Sequence, residues 1–222
     1  MWTRAELKSN CKEVMKRSYG KMFFACLISS FLYALITYVT EMNPDNFGEF
    51  LAIAMLVVII ANVFVYVPLD CGLKRFMLLN RVETQKVSEV FYFFSHNYFN
   101  VVKIILIRNI KIALWTLCFL IPGLVKAYEY QMIPYILAEN PTISTKEAFA
   151  RTKELTYGHK WNMLVLEFSF IGWLLLGSLL IIGVVFVNPY IEGTSAELYT
   201  KLKEIKDQTM DSIDVDAQET TI

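Results

Sequence analysis

Charge is scarce in this 222-residue chain. Asp, Glu, Lys and Arg together supply 19% of it, below the roughly 25% of a soluble domain, and the two signs cancel at 21 each. A strongly basic nucleic-acid surface is excluded by that balance. Four cysteines (Cys11, Cys26, Cys71, Cys118) are too few and too scattered for a disulfide scaffold or a C-x-x-C redox pair. The two histidines, His96 and His159, are far apart and form no H-E-x-x-H, so no metal centre is expected. Neither G-x-x-x-x-G-K-[ST] nor G-x-G-x-x-G occurs, which excludes the nucleotide-binding motor of an ATP-driven pump. G-x-S-x-G is also missing. No nucleophile–base pair is legible, so the reading is non-enzymatic and without a cofactor.

Apolar residues are what the chain has in abundance: 55% of it is hydrophobic, with a mean hydropathy of +0.43. The expected class is an all-α, polytopic integral membrane bundle, with about 20 apolar residues needed per span. Segments 22–40 and 50–69 are uncharged throughout, and the loop 41–49 between them is acidic and contains Asn43-Pro44-Asp45. Segment 104–122 is long enough to span but holds Arg108 and Lys111, which can snorkel along their stems. Ile121-Pro122-Gly123 then breaks the chain, and 124–138 reads as a fourth helix returning to the first side, with a re-entrant half-helix as the alternative. The stretch 161–191 carries one charge, Glu167. It reads as helix five (161–180) followed by helix six (184–203), with Gly177 and Gly183 bracketing the break; a single tilted helix competes.

Basic residues decide between these counts. Six Lys/Arg lie in 1–21, seven from Lys74 to Lys111 and four from Lys146 to Lys160. Six spans in three hairpins put every basic cluster in the cytoplasm, with both termini inside. The domain reading is therefore an amphipathic cytoplasmic helix over 1–21, a six-helix transmembrane domain over 22–205 and an acidic, disordered tail over 206–222.

Two segments outside the spans carry signals. Thr3-x-x-Glu6 is a capping box, and the helix it opens sets Leu7, Cys11, Val14 and Ser18 on one face and Lys8, Lys12 and Lys16 on another. This pattern suits an interfacial helix on anionic lipid. Segment 87–99 is dense in aromatics, with Phe91, Tyr92, Phe93 and Phe94 the candidate interface or partner residues. Ser144-x-x-Glu147 is a second capping box, opening a helix over 145–157 that Gly158 ends.

Charged side chains inside the spans are the candidate functional residues: Asp70, Arg108, Lys111, Lys126, Glu129, Glu167 and Glu192. Arg108 or Lys111 is the expected partner of Glu167, and Lys126 is expected near the outer leaflet. A faint repeat also appears, a proline followed by an acid: Pro68…Asp70…Gly72, Pro189…Glu192-Gly193 and Pro134…Glu139. Repeats with broken helices occur in transporter folds.

Several segments together resemble a known family. They are Trp2-Thr3-Arg4…Leu7-Lys8, Pro68-Leu69-Asp70…Gly72-Leu73-Lys74-Arg75, Leu114-Trp115 and Ile121-Pro122-Gly123-Leu124-Val125-Lys126-Ala127-Tyr128. Further on come Pro134-Tyr135 through Pro141, Gly158-His159-Lys160-Trp161, Leu166-Glu167-Phe168-Ser169 and Asn188-Pro189-Tyr190. The chain, to about Lys203, resembles an uncharacterised family of polytopic membrane proteins from Gram-positive bacteria, classified as a domain of unknown function; Glu139 and Glu167 stand where the family pattern suggests Asp. The resemblance implies a protein of the bacterial cytoplasmic membrane and supplies no activity or substrate. The expected function is a lipid- or partner-binding accessory protein, alone, as a homo-oligomer or with another membrane protein. The alternative is a small transporter or permease subunit using its intramembrane acids.

Overall fold

The computed structural model describes residues 2–41, 56–179 and 183–219, and every regular element among them is helical. Helix α1 (Arg4–Glu41) opens on Thr3, whose hydroxyl accepts the Glu6 backbone N–H at 3.2 Å. It kinks at Ser18, where the backbone leaves helical geometry (φ −143°, ψ 25°). The Ser18 hydroxyl donates to the Val14 carbonyl and accepts the Asn80 side-chain amide at 2.6 Å, so the kink is pinned to α2. The acidic loop expected at 41–49 lies, beyond Glu41, outside the described residues.

Helix α2 (Leu56–Val82) contains one π-helical turn, Asn62–Tyr66, in which the Val67 N–H reaches back to the Asn62 carbonyl. Pro68 follows it. Proline has no N–H for the carbonyl four residues earlier, and at Phe64 the Tyr98 hydroxyl donates to that carbonyl instead, at 2.5 Å. A tight 3-10 turn, Val87–Phe91, runs into a single helical turn, Tyr92–Ser95. It packs so closely on α2 that a Cβ at Gly72 would lie 1.8 Å from the Val90 carbonyl oxygen; no other residue fits there.

The chain continues through α3 (Tyr98–Cys118), α4 (Leu120–Glu129), α5 (Ile133–Glu139), α6 (Thr145–Thr156), α7 (Lys160–Phe168), α8 (Ile171–Leu179) and α9 (Gly183–Glu219). The Ser144 hydroxyl caps α6 by accepting the Glu147 N–H, and Gly158 sits in the left-handed region at φ 75° just past its end.

The buried core gathers at one end of these helices. Phe76 and Met77 of α2, Phe93, Ile104 of α3, Met132, Ile136 and Leu137 around α5, and Tyr199 of α9 are all at most 1% exposed. Each such side chain contributes about 1.5–3 kcal/mol by leaving water. The opposite ends of the hairpins are apolar and uncovered: Phe24, Phe31 and Leu35 of α1, Leu56, Ile59 and Phe64 of α2, Leu117, Phe119 and Leu120 at the α3–α4 turn, and Trp173 and Leu176 of α8. The molecule thus has a packed polar-surfaced foot and greasy upper arms.

Several expectations change here. Two helices among the described residues, α1 and α2, are long and apolar enough to cross a membrane. α3 carries Lys103, Arg108 and Lys111. Segment 124–138 is not one helix: a turn at 130–132 divides α4 from α5, and Pro134 sits in the first turn of α5, where its missing N–H costs no helical bond. The break before α4 comes at Phe119, three residues ahead of Pro122. Helix five is likewise divided at Ser169–Phe170. α9 runs helical to Glu219, through the stretch read as a disordered tail. The apolar face of the N-terminal helix is not left for lipid. Leu7, Cys11 and Ser18 are buried, α9 is the element α1 packs against most extensively, and the Cys11 thiol donates to the Tyr190 carbonyl of α9.

Candidate functional site

Where α1, α2 and α9 meet, their polar residues converge. Asp70 and Lys74 lie one helical turn apart on α2, the spacing at which side chains face each other. The Lys74 ammonium is 3.5 Å from Asp70 and 2.5 Å from Glu192 of α9. All three side chains are largely covered, at 14% exposure for Lys74, 28% for Asp70 and 24% for Glu192. Two carboxylates thus share one lysine, leaving one negative charge unmatched within the triad.

The carboxylates face a cavity of about 240 Å³, lined on the α1 side by Cys26, Ser29, Ser30 and Tyr33, and otherwise by Tyr66 and Leu73 of α2 and Asn188 of α9. Asn188 donates to the Ser30 hydroxyl at 3.3 Å. The walls are thus rich in hydroxyl and amide groups in an otherwise apolar sequence. Both helices that bring the acids are irregular next to them. The π turn and Pro68 precede Asp70, and Pro189 lies within α9 three residues before Glu192. Single π turns inside helices often mark functional sites, because the extra residue re-aims the side chains that follow.

The proline–acid repeat has a physical outcome here: its Pro68 and Pro189 copies deliver Asp70 and Glu192 to the same ammonium. The third copy diverges. Tyr135, beside Pro134, faces Lys74 across 5.9 Å, but Glu139 accepts from Tyr199 at 2.9 Å and pairs with Lys203 at 3.0 Å at the foot. Sequence reasoning named both acids and missed Lys74, which it counted only as a topology charge, and the hydroxyl lining. The i,i+4 spacing of Asp70 and Lys74 was the available signal.

The other named residues go elsewhere. Glu167 accepts from the Tyr128 hydroxyl and the Gln131 amide, both at 2.6 Å, and does not meet Arg108 or Lys111. α4 packs on α7 and supplies Tyr128, and the turn that follows α4 supplies Gln131. Arg108 donates to the Tyr130 carbonyl at 2.9 Å, and the Lys111 ammonium stands 3.7 Å over the Phe149 ring. Glu129 is a hub: Lys126 and Lys160 each reach it at 2.7 Å and Lys153 at 4.0 Å. Burial alone would push this carboxyl up; the bonds and charges of Lys126 and Lys160 outweigh it and hold the carboxyl below the usual glutamate value. Lys126 therefore shares a carboxylate with Lys153 and Lys160.

Nor do the four aromatics form one patch. Phe93 is fully buried in the core, and Tyr92 lies under the Arg75 guanidinium at 3.9 Å and stacks on His96. Phe91 and Phe94 remain exposed.

Residues 120–206 match the family described as Protein of unknown function (DUF975). The chain is thus similar, over less than half its length, to an uncharacterised family, which bears out that part of the resemblance; the segments before residue 120 on which the resemblance also drew lie outside the match. The DUF975 segment runs from α4 into α9 and brings Asn188 and Glu192 to the cavity, while Asp70 and Lys74 precede it. Neither the curated proteins nor the solved structures yield a match to the chain.

Proposed function

We propose that this protein is a non-enzymatic, multi-pass protein of the bacterial cytoplasmic membrane, with both termini in the cytoplasm. Its Asp70–Lys74–Glu192 cavity accepts one positive charge, a proton or a small monovalent cation, and carries it as a small transporter or a permease subunit. The observation that supports this reading is that the two acids paired with Lys74 both line a hydroxyl-bearing cavity. Ser29 lies seven residues into the uncharged run that opens at Met22, about 10 Å along the helix, a third of the way into a hydrocarbon layer of about 30 Å. Intramembrane sites built where helices are irregular suit alternating access.

The apolar upper arms fit hydrocarbon, and the basic residues of the foot fit the cytoplasmic face. Helical hairpins that open towards the foot account for both. The accessory reading draws on one observation, the exposed Phe91 and Phe94 at the foot, which offer a smaller contact than four aromatics would.

The test is charge movement in vesicles. Purified protein reconstituted into liposomes is expected to dissipate an imposed proton, sodium or potassium gradient. Asp70→Asn combined with Glu192→Gln is expected to slow it at least about tenfold, the factor that ~1.4 kcal/mol makes. Vesicles that stay tight with the unaltered protein, or a double variant that moves charge equally fast, would sink the proposal.

A further inference from the structure

We infer that α3 and α4 form a re-entrant hairpin: it enters the bilayer from the side of the foot, beds its tip at residues 117–121 in lipid hydrocarbon near mid-depth, and returns to the same side. The inference rests on the membrane reading above.

The two arms begin and end at one level. The Arg108 guanidinium of α3 donates to the Tyr130 carbonyl, just past α4. One residue earlier, Glu129 holds Lys160 and accepts the Thr152 hydroxyl at its carbonyl, so the end of α4 is tied to α6 and α7 at the foot. From Arg108 to the tip residue Phe119 is eleven residues, and from Phe119 to Glu129 ten. Those arms are about 15–16 Å long, half of a hydrocarbon core of about 30 Å. A hairpin of that length reaches the midplane and cannot cross.

The tip is built for hydrocarbon. Leu117, Phe119, Leu120 and Ile121 are 73–86% exposed, and none carries a polar side-chain atom. Phe119, the one residue between the helices, keeps both backbone groups paired: its N–H donates to the Trp115 carbonyl and its carbonyl accepts the Gly123 N–H, each at 3.1 Å. Lipid supplies no partner for backbone groups, and the pairing at Phe119 removes two of the turn's from that cost. The arms touch. A Cβ at Gly123 would lie 2.3 Å from the Thr116 hydroxyl oxygen, and that hydroxyl is itself spent on the Ile112 carbonyl. Lys126 bends its ammonium back to Glu129 at the foot, away from the tip. The tip is as apolar and uncovered as the outer faces of α1 and α2, the two helices long enough to cross.

Cys118 provides the probe, because Cys11, Cys26 and Cys71 are buried while Cys118 is exposed. The full chain, in sealed vesicles of both orientations, is treated with a membrane-impermeant maleimide, and Lys146→Cys in α6 marks the side of the foot. Cys118 is expected to react at least about tenfold more slowly than Lys146→Cys from either side, since thiol alkylation needs a thiolate in water. It is also expected to react freely once detergent opens the bilayer. A spin label placed at Cys118 with a permeant reagent is expected to report mid-bilayer depth.

Labelling from the side opposite Lys146→Cys would mean the hairpin crosses; labelling from the same side would mean it never enters. Oxidative Cys118–Cys118 cross-linking between two copies would mean protein covers the tip. Each of the three overturns the inference. Carbonate extraction scores the membrane reading separately, because α1 and α2 hold the chain in the bilayer whatever α3 and α4 do.

Discussion

His159 shows what a single position contributes. It follows the left-handed Gly158 at the start of α7, its ring lies 6.3 Å from that of Trp2, and its Nδ1 is buried with no hydrogen-bond partner. Burial pushes its pKa below the ordinary 6.5. The sign follows: below about pH 6.5 the unfolded chain takes up a proton that the folded site refuses, so stability is present above that pH and is lost as pH falls towards the depressed value. His159→Phe, which keeps a ring and removes the titration, is expected to flatten the fall in melting temperature between neutral and mildly acidic pH. An unchanged slope would assign that acid sensitivity to other groups. Its burial was not legible from sequence, because Trp2 is 157 positions away. The same holds for Lys74. Its charge was visible, whereas its role depends on Glu192, 118 positions on.

At the scale of elements, the short-range signals translated well. Thr3, Ser144 and Gly158 end and begin helices as their chemistry dictates, because a cap is a contact within a few residues. The long-range ones did not. Periodicity showed that the first helix has an apolar face but not that α9, rather than lipid, covers it. Hydropathy showed that 124–138 is apolar but not that the helix is interrupted at 130–132, because the turn is held by tertiary partners such as Arg108. One element boundary rests on a single distant residue. The Arg17 guanidinium donates to the carbonyls of Asn80, Arg81 and Val82, at 2.6, 3.0 and 3.3 Å, and so closes the C-terminus of α2. Charged groups at helix ends complement the dipole. Arg17→Ala is expected to destabilise the protein by about 1–2 kcal/mol, the lower part of the range for charged hydrogen bonds because the site is partly solvated. Thermal unfolding in detergent reads it; an unshifted melting curve would show that α2 ends without this help.

For the whole molecule, the distribution of surface decides the reading. A foot laced with ion pairs, among them Arg81–Glu197 at 2.6 Å and Lys201–Glu6 at 3.1 Å, carries arms whose outer faces are apolar, and a charged triad sits partway up between three of them. Placing Asp70, Lys74 and Glu192 there is costly unless the charges are used or mutually neutralised; both acids pair with Lys74, and Arg108 also acts on Asp70. The most direct measurement is therefore of the triad's charge. Infrared difference spectra of the reconstituted protein would follow the carboxyl bands as pH and the monovalent cation are varied, with Asp70→Asn and Glu192→Gln assigning them. The account expects a reversible change at one or both of these carboxyls, a carboxylic acid appearing on proton uptake or a carboxylate shifting on cation binding, that the variants abolish. Carboxyl bands that respond to neither proton nor cation would contradict it and leave the triad a structural ion pair.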